Sequence, residues 1–85
     1  MIENELKEDC DRMSEKDLKV RVKTLCKENG LPTTGWKFYF CNYPGPRCLR
    51  RYAKGNRTHT AYIQPFWIDI YAEGNLTPIA KGGLA

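Results

Sequence analysis

Histidine occurs once in this sequence, at His59, and only two carboxylates, Asp69 and Glu73, lie beyond residue 29. Catalysis needs a nucleophile, a base and an orienting group together, so this scarcity points to a non-catalytic chain. Asp69 and Glu73 stand beside Trp67 and Tyr71 with no further polar partner close in sequence. A cysteine nucleophile would depend on the fold bringing His59 to Cys41 or Cys48. No apolar run approaches the ~18 residues of a membrane span. Gly82-Gly83 lacks the Lys-Ser or Lys-Thr that follows a phosphate-cradling loop, and no repeat or low-complexity tract is present. The first residues, Met1-Ile2-Glu3-Asn4-Glu5, are acidic where a signal peptide would be basic and then apolar. The expectation is a cytoplasmic protein with no membrane, cofactor or metal dependence.

What is present is one domain's worth of chain. Eighty-five residues with 41% hydrophobic and 28% charged side chains are enough to fold but leave room for a single core, so one domain over 1–85 is expected. Apolar residues at Ile2, Leu6, Cys10 and Met13 mark one helical face, and Leu18, Val22, Leu25 and Cys26 mark another that is rotated away from it. Between them Ser14-Glu15-Lys16-Asp17 reads as a capping box with Asp in place of Glu, which predicts two helices, about 2–12 and 15–28, or one kinked helix. Asn29-Gly30 would end the second and Pro32 would prevent its continuation. All ten aromatics lie between Trp36 and Tyr71, which marks this stretch as strand. Trp36, Phe38 and Phe40 alternate with Lys37, Tyr39 and Cys41 up to the turn Pro44-Gly45-Pro46. Arg47 to Ala53 and Thr58 to Gln64 follow as strands, joined by a turn at Gly55-Asn56, and Pro65 interrupts pairing. Phe66 to Tyr71 reads as a fourth strand or the start of a helix. Thr77-Pro78 reads as a helix start that Gly82-Gly83 would fray, so 75–85 is expected to be a tail. The fold class is therefore α+β, with one or two N-terminal helices packed on a three- to four-stranded antiparallel meander over 35–71.

Charge divides along the chain. Residues 1–29 carry seven basic and eight acidic side chains, net −1, whereas residues 30–85 carry seven basic and two acidic, net +5. Five of those cations, Arg47, Arg50, Arg51, Lys54 and Arg57, fall within eleven residues. With Tyr52, His59 and the turn residue Tyr43 they form the candidate binding set, since arginine beside exposed tyrosine follows a phosphate backbone while stacking on bases. The same cations would equally serve as a charged strand edge that blocks aggregation. Tyr39 and Trp36 add aromatic area, although a domain this small needs most aromatics in its core. Cys10 and Cys26 read as small core residues. Cys41 and Cys48 are too widely spaced for a zinc knuckle and would face each other across a hairpin.

The helical start followed by Gly35-Trp36-Lys37-Phe38-Tyr39-Phe40, Cys48-Leu49-Arg50-Arg51-Tyr52 and Thr60-Ala61-Tyr62-Ile63-Gln64-Pro65 resembles the N-terminal part of SprT-like domains, the Spartan-related zinc metallopeptidases. The resemblance covers roughly residues 15–70. It implies a helix leading into an antiparallel sheet and association with DNA. The family's His-Glu-x-x-His helix has no counterpart here, so no zinc ligand or catalytic glutamate is carried onto any residue. Three functional expectations result. The leading one is a non-catalytic basic module contacting nucleic acid through the 47–59 hairpin. The second is a small phage-type inhibitor or adaptor of a nucleic-acid-processing protein, with the same arginines and tyrosines as its interface. The third is a fragment or degenerate relative of the metallopeptidase.

Overall fold

A computed structural model describes residues 13–39, 47–64 and 66–84. Among these residues one helix, α1 (Glu15–Glu28), is followed by five strands: β1 (Trp36–Tyr39), β2 (Arg47–Ala53), β3 (Asn56–Ile63), β4 (Trp67–Ala72) and β5 (Ala80–Gly83). The strands form one antiparallel sheet in sequence order. The α+β meander expected from the pattern is present, with five strands rather than three or four. A helix over 2–12, the core role of Cys10, and the turn holding Tyr43 lie outside the described residues.

The helix begins and ends where its caps dictate. The Ser14 hydroxyl accepts the Asp17 amide at 3.1 Å, and Glu15 and Asp17 complement the positive helix end. At the other end Gly30, at φ +70°, reverses the chain, and the Leu31 amide donates to the Cys26 carbonyl at 2.8 Å while Gly30 donates to Lys27. This is a Schellman closure, with Leu31 folded onto the core. Leu18, Val22, Leu25 and Cys26 form the buried stripe and face Leu49, Ala61, Ile63, Ile68 and Ile70 from the three central strands. The helix reaches both edge strands, β1 and β5, so one element covers one whole side of the sheet.

The C-terminal expectation is corrected. Thr77-Pro78 starts no helix, and Ala80 to Gly83 pairs with β4 from Ile70 to Trp67. The glycines that argued for fraying have a packing use. A Cβ on Gly82 would stand 2.7 Å from Leu25 Cδ1, so a bare backbone lets α1 lie close over the fifth strand. Residues 67–72 are strand, because Ile68 and Ile70 are buried while Trp67 and Tyr71 alternate to the other side. The β2–β3 turn is Lys54-Gly55, both at positive φ, one residue earlier than expected, and Asn56 already pairs with Ala53.

Before β1, Gly35 sits at φ +81°, and its carbonyl accepts the Tyr52 amide at 3.0 Å. A Cβ there would strike the Tyr52 carbonyl oxygen, a backbone atom. Gly35→Ala therefore combines a left-handed backbone with a steric clash and should lower unfolding free energy by about 2 kcal/mol or more in urea melts. Gly83→Ala, which meets nothing within 4 Å, should leave the midpoint nearly unchanged.

Candidate binding face

Strand alternation gives the sheet two unlike sides. Trp36, Phe38, Leu49, Ala61, Ile63, Ile68 and Ile70 lie under the helix, and their neighbours Lys37, Tyr39, Arg50, Thr60, Tyr62, Trp67, Asp69, Tyr71 and Lys81 lie on the opposite, open side. Exposure separates the aromatics accordingly: Trp36 is 2% exposed, whereas Tyr39, Trp67 and Tyr62 are 43%, 40% and 36% exposed. Trp36 also donates its indole N–H to the Pro32 carbonyl at 3.0 Å, so it is a satisfied core residue.

The open side is held together by cations on rings. The Arg50 guanidinium lies 3.5 Å from the centre of the Tyr39 ring, and Lys81 Nζ lies 5.9 Å from the Trp67 ring. Tyr62 and Tyr71 meet edge to face at 5.6 Å. Trp67 donates its indole N–H to Asp69 Oδ2 at 3.2 Å, and Lys81 approaches Asp69 Oδ1 at 3.7 Å. The latter contact is an ion pair without a hydrogen bond, so the buried Oδ1 accepts no donor. The Arg50 Nε–H is likewise buried and accepted by no protein group.

The candidate hairpin cations do not share one surface. Arg50 and Arg57 are on the open side. Arg57 forks onto Glu73, with Nε–Oε1 at 3.0 Å and Nη2–Oε2 at 3.2 Å. That pairing raises the pKa of Arg57 and, through the same hydrogen bonds, lowers that of Glu73. Strict alternation would have sent Arg57 to the helix side with His59. A β-bulge shifts the register, pairing Arg51 with His59 but Tyr52 with Arg57, so that Thr58 turns inward and Arg57 outward. Tyr52, half-buried, follows Arg50 on the open side, and Lys54 is exposed in the turn.

Arg47 and Arg51 belong to the helix side. Arg47 lies 5.7 Å from the Phe38 ring centre and donates to the Met13 carbonyl at 3.3 Å. Arg51 donates to the Thr34 carbonyl at 2.7 Å and to Thr58 Oγ1 at 2.9 Å, tying the chain before β1 to the β2–β3 hairpin. His59 Nδ1 is 2.8 Å from the same hydroxyl, and its ring centre is 6.2 Å from that of Trp36. Cys48 is buried and its thiol meets the Tyr39 carbonyl at 3.4 Å, while Cys41 and Tyr43 lie outside the described residues. Among the described residues, no cluster of three or more His, Cys, Asp or Glu could hold a metal ion, and no helix is long and apolar enough to cross a membrane.

A recess of about 400 Å³ opens on the open side, with Thr60 at its base, Tyr62 and Tyr71 beside it, both Arg50 and Arg57 on it, and the turn after β4 as a further wall. Tyr62, Tyr71, Trp67, Lys37 and Lys81 were absent from the sequence-derived binding set. The signal for three of them was available in β4 and β3, where Trp67-Ile68-Asp69-Ile70-Tyr71 and Ala61-Tyr62-Ile63 set aliphatic residues against aromatic or polar ones. Such alternation assigns the aliphatic set to the core and the aromatic set elsewhere. Compared with known proteins, the chain matches no family model, no curated sequence and no solved structure.

Burial, and then the Arg51 charge, hold the His59 pKa below 6.5. As pH falls through 6.5 the unfolded chain takes up the proton before the folded one, so the stability tied to neutral His59 is complete above that value and declines below it. The lowered Glu73 pKa acts in a separate window, below its ordinary 4.5. Thermal melts from about pH 7.5 to about pH 5 should therefore show a falling midpoint that His59→Gln flattens.

Proposed function

We propose that the protein binds single-stranded nucleic acid across the open side of its sheet. This keeps the class expected for the basic hairpin and places the main contact on the surface formed by β1 to β5. The observation that carries it is a sheet face, opposite α1, on which exposed Tyr39, Tyr62 and Trp67 are interleaved with Lys37, Arg50 and Lys81. With Arg57, the face holds four cations against the carboxylates of Asp69 and Glu73, a net charge of +2. Flat rings among cations suit a flexible polyanion whose bases are free to stack, since each base offers a π-face whatever its identity. Duplex DNA hides those faces, so single strands are preferred.

Fluorescence anisotropy with short labelled oligothymidylate tests this reading. Affinity should fall with salt at a log–log slope of about −2, the value for roughly three phosphates neutralised on a single strand. Tyr62→Ala should weaken binding about 5- to 150-fold, the loss of one stacked base, and Arg50→Glu should weaken it at least as much. Binding that is indifferent to both salt and Tyr62 would remove the proposal.

Leu76 supports a second reading, a protein partner as in the inhibitor or adaptor class. It is 96% exposed beside the recess, next to the arginine and tyrosine types that dominate protein interfaces. Nuclease-resistant, stoichiometric co-purification of one protein that is lost in Leu76→Asp would favour it.

A further inference from the structure

We infer that the recess beside Arg50 receives the phosphate-bearing end of the bound strand, an inference that rests on the single-strand reading above. Its volume of about 400 Å³ sits at the small end of the range for ligand pockets, the size of one nucleotide unit rather than of a duplex. Residues of β2, β3 and β4 form its base and sides, and Glu73 to Leu76, where the chain leaves the sheet, wall it further. Gly74 at φ +86° makes that turn possible. Elsewhere on the open side the rings stand exposed, so a strand can run along them, and the recess is where a terminal unit can enter.

The polar groups define what that unit must carry. Two guanidinium groups, Arg50 and Arg57, converge on the recess with one carboxylate, Glu73. Arg50 is held against Tyr39 at 3.5 Å with its Nε buried, so its Nη groups are the donors it can offer a ligand. A planar guanidinium held in one orientation with donors to spare is suited to bidentate capture of phosphate. Arg57 is fixed by its fork onto Glu73, which supplies a second positioned cation while leaving the recess with one excess positive charge. An internal phosphodiester brings one negative charge, which Arg50 alone can meet. A terminal phosphomonoester brings about −1.5 to −2 near pH 7 and a further oxygen that can accept from Arg57 Nη1, the donor that the fork onto Glu73 leaves unused. Tyr62 and Tyr71, packed edge to face, offer the terminal base a ring surface beside that phosphate.

Isothermal titration calorimetry with the full chain and three unlabelled octathymidylates tests the inference. One oligonucleotide has no terminal phosphate, one a 5′-phosphate and one a 3′-phosphate. One of the two phosphorylated ends should bind at least ten-fold more tightly than the unphosphorylated strand, and which end does so identifies the polarity. Arg50→Lys, which keeps the charge and loses the fork, should erase most of that increment, whereas Tyr62→Ala should weaken all three strands. Equal affinity of wild-type protein for the three overturns the inference and leaves the single-strand reading standing. Failure of all three to bind, with thymidine 5′-monophosphate still bound, overturns the single-strand reading and upholds the phosphate chemistry of the recess. The comparison of the three strands on wild-type protein needs no variant, so a misfolded Arg50→Lys would not obscure the outcome.

Discussion

Among the described residues a single helix, α1, packs on a five-stranded sheet, and the core follows from that economy. Fourteen residues rise about 21 Å, close to the ~19 Å width of five strands at ~4.8 Å spacing. The helix can therefore touch both edges, and its stripe of Leu18, Val22, Leu25 and Cys26 is just long enough to shield the aliphatic centre. With each of those four side chains at most 3% exposed, large-to-small changes fall in the range of several kcal/mol. A domain of this size has a total stability of only about 5–10 kcal/mol, so any one of them is a substantial share. Gly82 belongs to the same fit, since the helix could not lie so close over a fifth strand that carried a side chain there.

α1 covers one side of the sheet, and the opposite side is built from different residue types. Aliphatic residues are confined to the helix side, and the open side uses rings whose faces are partly occupied by cations. Arg50 on Tyr39 and Lys81 on Trp67 each hide part of an apolar surface without removing its charge from solvent. The cost is local. Asp69 Oδ1 and Arg50 Nε are buried without hydrogen-bond partners, and such atoms are uncommon in a well-satisfied fold. Both are on the side opposite α1.

Much of this was legible beforehand. The 15–28 helix is read directly from Ser14, the Leu18-to-Cys26 stripe and Asn29-Gly30, because caps and a 3.6-residue period are local properties of the chain. β2 follows from the Pro44-Gly45-Pro46 run before it in sequence and the turn at Lys54-Gly55 after it. The fifth strand was hidden because Ala80-Lys81-Gly82-Gly83 has almost no strand propensity, and its pairing is a tertiary effect of β4 on one side and Leu25 above. The candidate hairpin was visible as a charge cluster, but its division between two sides was not. Arg51 and Arg47 found backbone carbonyls at Thr34 and Met13, partners that only the folded chain brings near. The open-side aromatics of β3 and β4 read in sequence as strand formers, and their place on the surface follows from the position of α1 on the other face.

The bulge at Thr58 makes the two sides of the sheet differ in what a change of length would do. Arg57 stands opposite Tyr52 on the open side, and Thr58 is the one residue more in β3 than β2 requires opposite it. Loss of that single codon would set Arg57 beside His59, restore perfect alternation and keep Arg57 on the open side. What it would remove is the hydroxyl that accepts from Arg51 Nη1 and meets His59 Nδ1. Length polymorphism at this point of the hairpin would thus be silent in the recess and felt on the helix side, a distinction that substitution counts alone would not detect.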